Sequence, residues 1–427
     1  MKFFVASILM LTSVVSGLAQ SSKSNQDYTK EIEKLTKHKL MVKAFQTIDE
    51  LEPQTRQDHI LLTEIPAPPF KESNRAAKFS QMLKEAGANR VWIDEEGNVM
   101  AERKGKKGDR TIGLDAHLDT VFPEETDVKV KIIGDTLKAP GIGDDTRGLV
   151  AVLTVLRALE KSKIETDANL IIAGTVGEEG LGDLRGMKYI FDKSDLKFDS
   201  WIAVDGREIG RIVSAGLGSV RYKVTFEGPG GHSWGAFGLG NPHHAIGKAI
   251  DYFSEAASVF TSSGSKVSYN VGRMGGGTSV NSIPFESWME VDMRSIDPIR
   301  LMKIDSIFNA SMQRALTDYN KGIRNGPPLT VKVEKIGSRP SGFQSDDLPL
   351  VQRTMASARL FVDEVSTSPS STNSNIPISK GIPAVTLGSG GDGGGAHSLH
   401  EWWVNKNGAD AIKFILLVTV AEAGLAK

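Results

Sequence analysis

The sequence predicts an α/β protein: a mostly parallel sheet with helices on both faces, interrupted by a smaller inserted α+β unit. Two observations carry this. Continuous apolar runs at 111–114, 169–176 and 200–204 alternate with segments of helical periodicity, the pattern of strands buried on both sides. After Arg211 the texture changes to strands that alternate apolar and polar residues, interleaved with two long helical segments. A chain of 427 residues is also too long for one ordinary core, so two domains are expected.

Residues 1–19 combine one positive charge, an apolar stretch and a small-x-small exit at Gly17-Leu18-Ala19. They read as a signal peptide, which makes the mature protein an exported one, periplasmic or extracellular. The apolar part is too short for a membrane span, and no cysteine follows it to carry a lipid, so no membrane anchor is expected. Residues 20–43 are polar and rich in Lys and Glu, a tether or a surface helix. Helical spacing over 42–59 ends in the proline-rich loop Pro66-Ala67-Pro68-Pro69, and a second helix over 74–86 is closed by Gly87. Strands at 91–94 and 98–102 flank a turn; the buried strand at 111–114 follows, and Leu149, Val152, Leu153, Leu156 and Leu159 mark one helix face. The segment 44–212 is the first part of the main domain. An insert over 213–337 reads β-α-β-β-α-β, which makes an antiparallel sheet with helices on one face. The main domain resumes over 338–427 with a helix at 348–360, a strand at 384–387 and a last helix at 407–425.

A net charge of -1 with 24% charged residues offers no basic groove for nucleic acid and no polybasic membrane face, so a small, roughly neutral substrate fits better. With no cysteine there are no disulfides and no thiolate ligands, and a metal would have to be held by His and carboxylates. The glycine-rich run 388–395 lacks the Lys-Ser/Thr of a phosphate loop, which argues against nucleotide binding.

His117, Asp119, Asp144, Glu178, Glu179, Asp205 and His397 each lie just past an apolar strand or at a Gly-rich turn. Strand ends are where α/β proteins build sites. Each piece alone has an ordinary explanation: a local hydrogen bond for His117-Leu118-Asp119, a helix N-cap for Asp144-Asp145, a solvated loop for Glu178-Glu179, a capped segment for His397 to Glu401. Together, so many converging carboxylates would repel one another and call for cations. Two divalent ions meet that demand, and imidazole plus carboxylate suits zinc, with manganese or cobalt as alternatives.

The order His-x-Asp, Gly-x-x-Asp-Asp, Glu-Glu, Asp and a late His, met from His117 to His397, resembles the M20 clan of di-zinc metallopeptidases. That group contains peptidase T, carnosinase-type dipeptidases, carboxypeptidase G-like enzymes and aminoacylases. The resemblance covers nearly all of the mature chain. It implies a zinc-exopeptidase-like fold, an inserted lid or dimerisation domain, a homodimer formed through it, a small peptide substrate and two Zn2+. It places His117 and Asp205 on one ion and Glu179 and His397 on the other. Asp144 would bridge both, joined by a cis peptide to Asp145. Asp119 would stand behind His117 to fix its tautomer, and Glu401 would do the same for His397. Glu178 would be the catalytic base, taking a proton from a metal-bridging water and passing it to the leaving amine.

In the insert, His232 matches a lid histidine that reaches the substrate oxyanion across a dimer. Asn281 and Arg294 match positions near the substrate termini, and the run 388–395 matches a mobile loop before His397. Two departures from the pattern, Thr146 where Lys is frequent and Thr372-Asn373 where Thr-Asp is frequent, leave the ligands intact and bear on substrate contacts. His400 is an extra imidazole without an assigned role. An aspartate at 205 is more typical of the aminopeptidase, tripeptidase and dipeptidase branches, so the expected activity is an exopeptidase acting on short peptides. An N-acyl amino acid amidohydrolase (deacylase) or a carboxypeptidase is the alternative, and a non-catalytic binding module is a further one.

Overall fold

The computed structural model describes residues 28–427; the signal peptide expected at 1–19 and the beginning of the 20–43 segment lie outside the described residues. Helices Tyr28–Thr36 and Lys39–Thr63 open the described chain. Ile32 and Met41 are fully buried in the principal core, so the described part of 20–43 is a packed element and not a tether. Tyr28, Leu35 and Leu40 pack against the same core.

The large sheet runs in the order Arg90–Ile93, Val99–Arg103, Asn169–Thr175, Thr111–His117, Ser200–Val204, Ala384–Leu387, Arg211–Gly216 and Gly342–Phe343, with Ser366–Ser370 also paired to Arg211–Gly216. Its centre is parallel: Thr111–His117 lies between Asn169–Thr175 and Ser200–Val204, with His117 opposite Thr175 and Leu114 opposite Ile202. The two flanks are antiparallel.

Alternation explains the unbroken apolar runs. Leu170, Ile172, Ile202 and Val204 face a core shared with helices Lys39–Thr63, Thr146–Ser162 and Gly408–Ala423. Ile171, Ala173, Trp201 and Ala203 face the opposite core, closed by helices Arg185–Asp192 and Asn375–Ser379. Each such side chain taken out of water contributes about 1.5–3 kcal/mol, and the main exception within the strands, the buried Asp115, is held by hydrogen bonds from Trp201, Asn373 and Thr175. The site begins where the strands end.

The insert has its own four-stranded antiparallel sheet, ordered Val267–Gly276, Glu286–Ser295, Gly218–Glu227 and Thr330–Arg339. Helices Pro242–Thr261 and Pro298–Asn320 pack over a separate core that includes Phe226, Phe253, Met289 and Phe308. The chain leaves the large sheet at Leu217, slightly later than the expected boundary at 213, because Val213 still pairs with Ser368 and Thr386.

A second small sheet joins Lys131–Ile133, Thr136–Lys138, Trp402–Val404 and Asp392–Gly394. It takes in part of the run 388–395, which is held and not free: Gly391 N donates to Asn407 Oδ1 at 2.7 Å and Trp403 Nε1 donates to Gly390 O at 3.0 Å. Glycine carries almost no strand signal, so sequence pattern alone reads this stretch as loop. No helix among the described residues is long and apolar enough to cross a membrane.

Candidate metal centre

Three neighbouring strand ends deliver the acidic and imidazole groups. Thr111–His117 terminates in His117, Asn169–Thr175 runs on to Glu178 and Glu179, and Ser200–Val204 runs on to Asp205. Asp144 and Asp145 come from the start of helix Thr146–Ser162, and the peptide between them is cis. His397 arrives from the loop after the small sheet, with a φ of 63°, a costly region for a residue with a Cβ.

One carboxylate lies at the centre. Asp144 Oδ1 is 3.1 Å from His117 Nε2, and Asp144 Oδ2 is 3.0 Å from His397 Nε2. Glu179 Oε1 is 2.8 Å from the same His397 nitrogen. Donor atoms of His117, Asp144 and Asp205 lie within 4.8 Å of one another, as do those of Asp144, Glu179 and His397, and those of His117, Glu178 and Glu179. The first two groups share Asp144.

Burial, reinforced by Asp144, pushes the Asp205 carboxyl up to about 7, and no described side chain donates a hydrogen bond to it. Hydrogen bonds to Asp144 and Glu179 push His397 up to about 10, an imidazole acting as the cation of the cluster. Burial would raise Asp144, but the two imidazoles outweigh it and hold its carboxyl below the usual range. Such a set of oxygen and imidazole donors, with a half-buried carboxylate that no side chain among the described residues holds, fits a pair of divalent cations. His117, Asp144 and Asp205 could hold one, and Asp144, Glu179 and His397 the other.

The supports are as informative as the donors. Asp145 is the N-cap of helix Thr146–Ser162: one oxygen accepts from Gly148 N at 3.1 Å and the other from His117 N at 3.0 Å. The pair thus divides its labour, Asp145 capping and Asp144 facing the site. Asp119 differs from expectation in detail. His117 Nδ1 is 3.0 Å from the Asp119 backbone carbonyl and 3.6 Å from its carboxylate, which accepts instead from Glu178 N at 2.9 Å and Glu179 N at 2.8 Å. Glu401 was expected behind His397. Its carboxylate instead accepts from Gly141 N at 2.7 Å, Gly143 N at 2.8 Å and Asp144 N at 3.1 Å, so it clamps the loop that carries Asp144. Turning away from His397 is favoured because three free amides outcompete one imidazole.

Glu178 is buried beside this cluster, and its partner escaped the sequence. Arg339 Nη1 donates to Glu178 Oε1 at 3.0 Å, and its Nη2 donates to the Glu178 backbone carbonyl. Burial pushes the Glu178 carboxyl up to about 8 against the pull of Arg339. A single Arg before Pro340 at the end of an alternating strand carries no motif, so only the fold reveals the pair.

The insert residues separate into two places. His232 and Asn281 lie together, since Gly231–His232 pairs with Ser282–Ile283 and Ser233 N donates to Asn281 O at 2.9 Å. Both are exposed, and His232 Nδ1 accepts from Trp234 N at 3.2 Å. Neither is hydrogen-bonded to the metal cluster among the described residues. Arg294 lies at the other end of the insert, where its Nε donates to Asp292 Oδ2 at 2.7 Å.

Nor do the two departures line the site. Thr146 Oγ1 is turned into its own loop, 2.7 Å from Gly141 O, and Asn373 is buried, donating to Asp115 Oδ2 at 2.6 Å. His400 is exposed and its ring makes no hydrogen bond among the described residues.

A mostly parallel sheet with a His–carboxylate cluster on one rim that could hold metal, a buried glutamate beside it and an inserted α+β unit fits the class of metal-dependent hydrolases. Residues 113–419 match the model of peptidase family M20/M25/M40, and the chain belongs to that family. It is 26% identical over 323 residues to the uncharacterized protein YqjE of Bacillus subtilis, covering 73% of this chain and 82% of that one. The crystal structure of aminopeptidase PepT from Bacillus cereus superposes with a TM-score of 0.69 at 19% identity, covering 87% of this chain and 99% of that one. A tripeptidase from Staphylococcus aureus superposes with a TM-score of 0.66 at 21% identity, covering 87% and 97%. The protein is thus a hydrolase acting on peptide bonds.

Proposed function

We propose that the protein is an exported, two-metal exopeptidase that hydrolyses short peptides, with Glu178 as its general base. The observation that carries this is the shared carboxylate of Asp144, one oxygen on each imidazole, next to a buried, Arg-held glutamate. His117 and Asp205 would hold one ion, Glu179 and His397 the other, and Asp144 both; the sulfur-free donor set suits zinc. When bound, the ions supply Lewis-acid polarisation of the scissile carbonyl and acidify water.

The remaining work falls to the chain. Glu178 accepts the proton of the attacking water and returns it to the leaving amine. Arg339 fixes which Glu178 oxygen is free by occupying Oε1. The insert would act as the lid and as the contact between two copies, bringing His232 and Asn281 to the substrate, which is consistent with their exposure at its tip. The apolar segment ending at Ala19 supports export.

The test compares wild type and Glu178→Gln on Ala-Ala, Ala-Ala-Ala and N-acetyl amino acids, with and without chelator. Wild type should cleave the unblocked peptides only when metal is present, and the variant should lose 10²-fold or more in kcat while keeping about two metals per chain. Cleavage of blocked substrates alone would overturn the exopeptidase reading. Full activity of Glu178→Gln would overturn the base.

A further inference from the structure

The glycine run 388–395 and a cavity of about 210 Å³ beside the metal centre occupy the same place. Asp144 and Asp205 line that cavity together with Arg207, Glu208, Arg211 and Trp402. Two of these side chains come close because the run has none of its own. A Cβ on Gly393 would stand 2.5 Å from Arg207 Nη1, and one on Gly394 would stand 2.9 Å from Trp402 Nε1. Neither glycine has a positive φ, so what these positions need is space and not backbone freedom.

Arg207 is half-buried, yet its guanidinium makes no hydrogen bond or ion pair with any described residue. The carboxylate of Asp392 on the adjoining strand is already held by Lys406. Arg211 differs, being exposed and tied by its Nε to Ser368 Oγ at 3.0 Å. A planar fork of donors, partly desolvated and unpaired, is matched by a planar carboxylate. Glu208 offers the opposite charge, but it is exposed, and water and salt weaken its field. With a water molecule taking about 30 Å³, the cavity has room for a side chain of glutamate size.

We propose that this cavity is a side-chain subsite for an acidic residue of the peptide, with Arg207 binding the side-chain carboxylate. The proposal rests on the exopeptidase reading and narrows its substrate to peptides bearing Asp or Glu beside the scissile bond. The glycine run is then the floor that lets the guanidinium and the indole reach the metal centre.

Calorimetric titration of metal-loaded Glu178→Gln protein tests it without turnover. The probes are Glu-Gly against Gln-Gly and Gly-Glu against Gly-Gln, pairs that share their termini and differ only in side-chain charge. One pair should show the acidic member binding about tenfold tighter, and that ratio should fall to about one when Arg207→Gln is added. Equal binding within both pairs, a ratio indifferent to Arg207→Gln, or tighter binding of Lys-Gly or Gly-Lys would overturn the proposal. Absence of wild-type hydrolysis of any peptide would sink the exopeptidase reading instead, because the binding ratio reads the cavity by itself.

Discussion

Replacing Glu401 by Gln probes the least conspicuous support of the site. The carboxylate accepts three backbone N–H groups from a single loop, Gly141 on Oε2 and Gly143 and Asp144 on Oε1. A carboxamide of the same shape keeps one oxygen. Either Gly141, or Gly143 together with Asp144, then faces an NH2 group, donor against donor. Hydrogen bonds to a charged acceptor contribute about 1.5–3 kcal/mol each, and a buried donor left without a partner costs about 1–3 kcal/mol. With one bond lost and the loop shifting to relieve the clash, Glu401→Gln should destabilise the fold by about 2–4 kcal/mol. The displaced element is the one that carries Asp144, so metal affinity should also fall about 10–100-fold, the usual effect of losing a group that orients a ligand. Competition with a chromophoric chelator measures the second effect, and denaturant unfolding of chelated protein measures the first. Wild-type values in both assays would refute the reasoning, since they would mean that the Asp144 loop keeps its shape without this acceptor.

Burial holds the neutral form of His59, its ring nitrogen 2.5 Å from Ile142 O, with the pKa lowered to about 3. The unfolded chain takes up that proton near pH 6.5, so His59 leaves stability intact above 6.5 and removes about 1.4 kcal/mol per unit as pH falls from there toward 3. Urea unfolding of chelated protein between pH 7 and 5 should show a shallower slope in His59→Gln, and equal slopes would exclude this role. Gly113→Ala would place a Cβ 2.0 Å from the buried Trp201 ring, so it should cost at least about 1–3 kcal/mol by thermal unfolding; a neutral result would show that Trp201 can move. Burial pushes Asp115 up to about 6 despite donors from Trp201, Asn373 and Thr175. Asn373→Asp sets a second carboxylate against it, which should destabilise the fold by about 1–3 kcal/mol at pH 8. The raised pKa of the pair makes the folded form the better proton binder, so stability should recover as pH falls toward 5, and adding Asp115→Asn should restore it at pH 8.

The large sheet was legible because its strands are buried on two faces: Leu170-Ile171-Ile172-Ala173 leaves no choice of polar face to hide the run. The donors were legible for the opposite reason, as charges placed abruptly where such runs stop. What the sequence withheld are the contacts made by backbone groups. Glu401 sits four residues after His397, which suggests a shared ligand, but its oxygens go to three amides 257 or more residues earlier in the chain. Asn373 reads as a substrate contact until Asp115 is seen beside it, when the amide becomes a neutral donor that leaves one charge there instead of two. The Lys/Glu-rich start of the described chain misleads as well, since average polarity conceals the apolar residues that dock it, Ile32 and Met41 among them.

Arg339 joins these two kinds of information. It ends Thr330–Arg339, the strand that brings the chain back from the insert, and it grips Glu178 on the rim of the large sheet. Beside it Ser338 N donates to the Asp183 carboxylate at 2.9 Å, and on the outgoing strand Arg221 Nη1 donates to Gly180 O at 3.3 Å. The insert therefore stands on the loop from Glu178 to Asp183, although its hydrophobic core is separate. Arg339 thereby ties the returning strand of the insert to Glu178, next to Glu179. Two bodies with independent cores thus meet at the loop that carries both Glu178 and Glu179, so the placement of the insert and that of Glu178 rest on shared contacts.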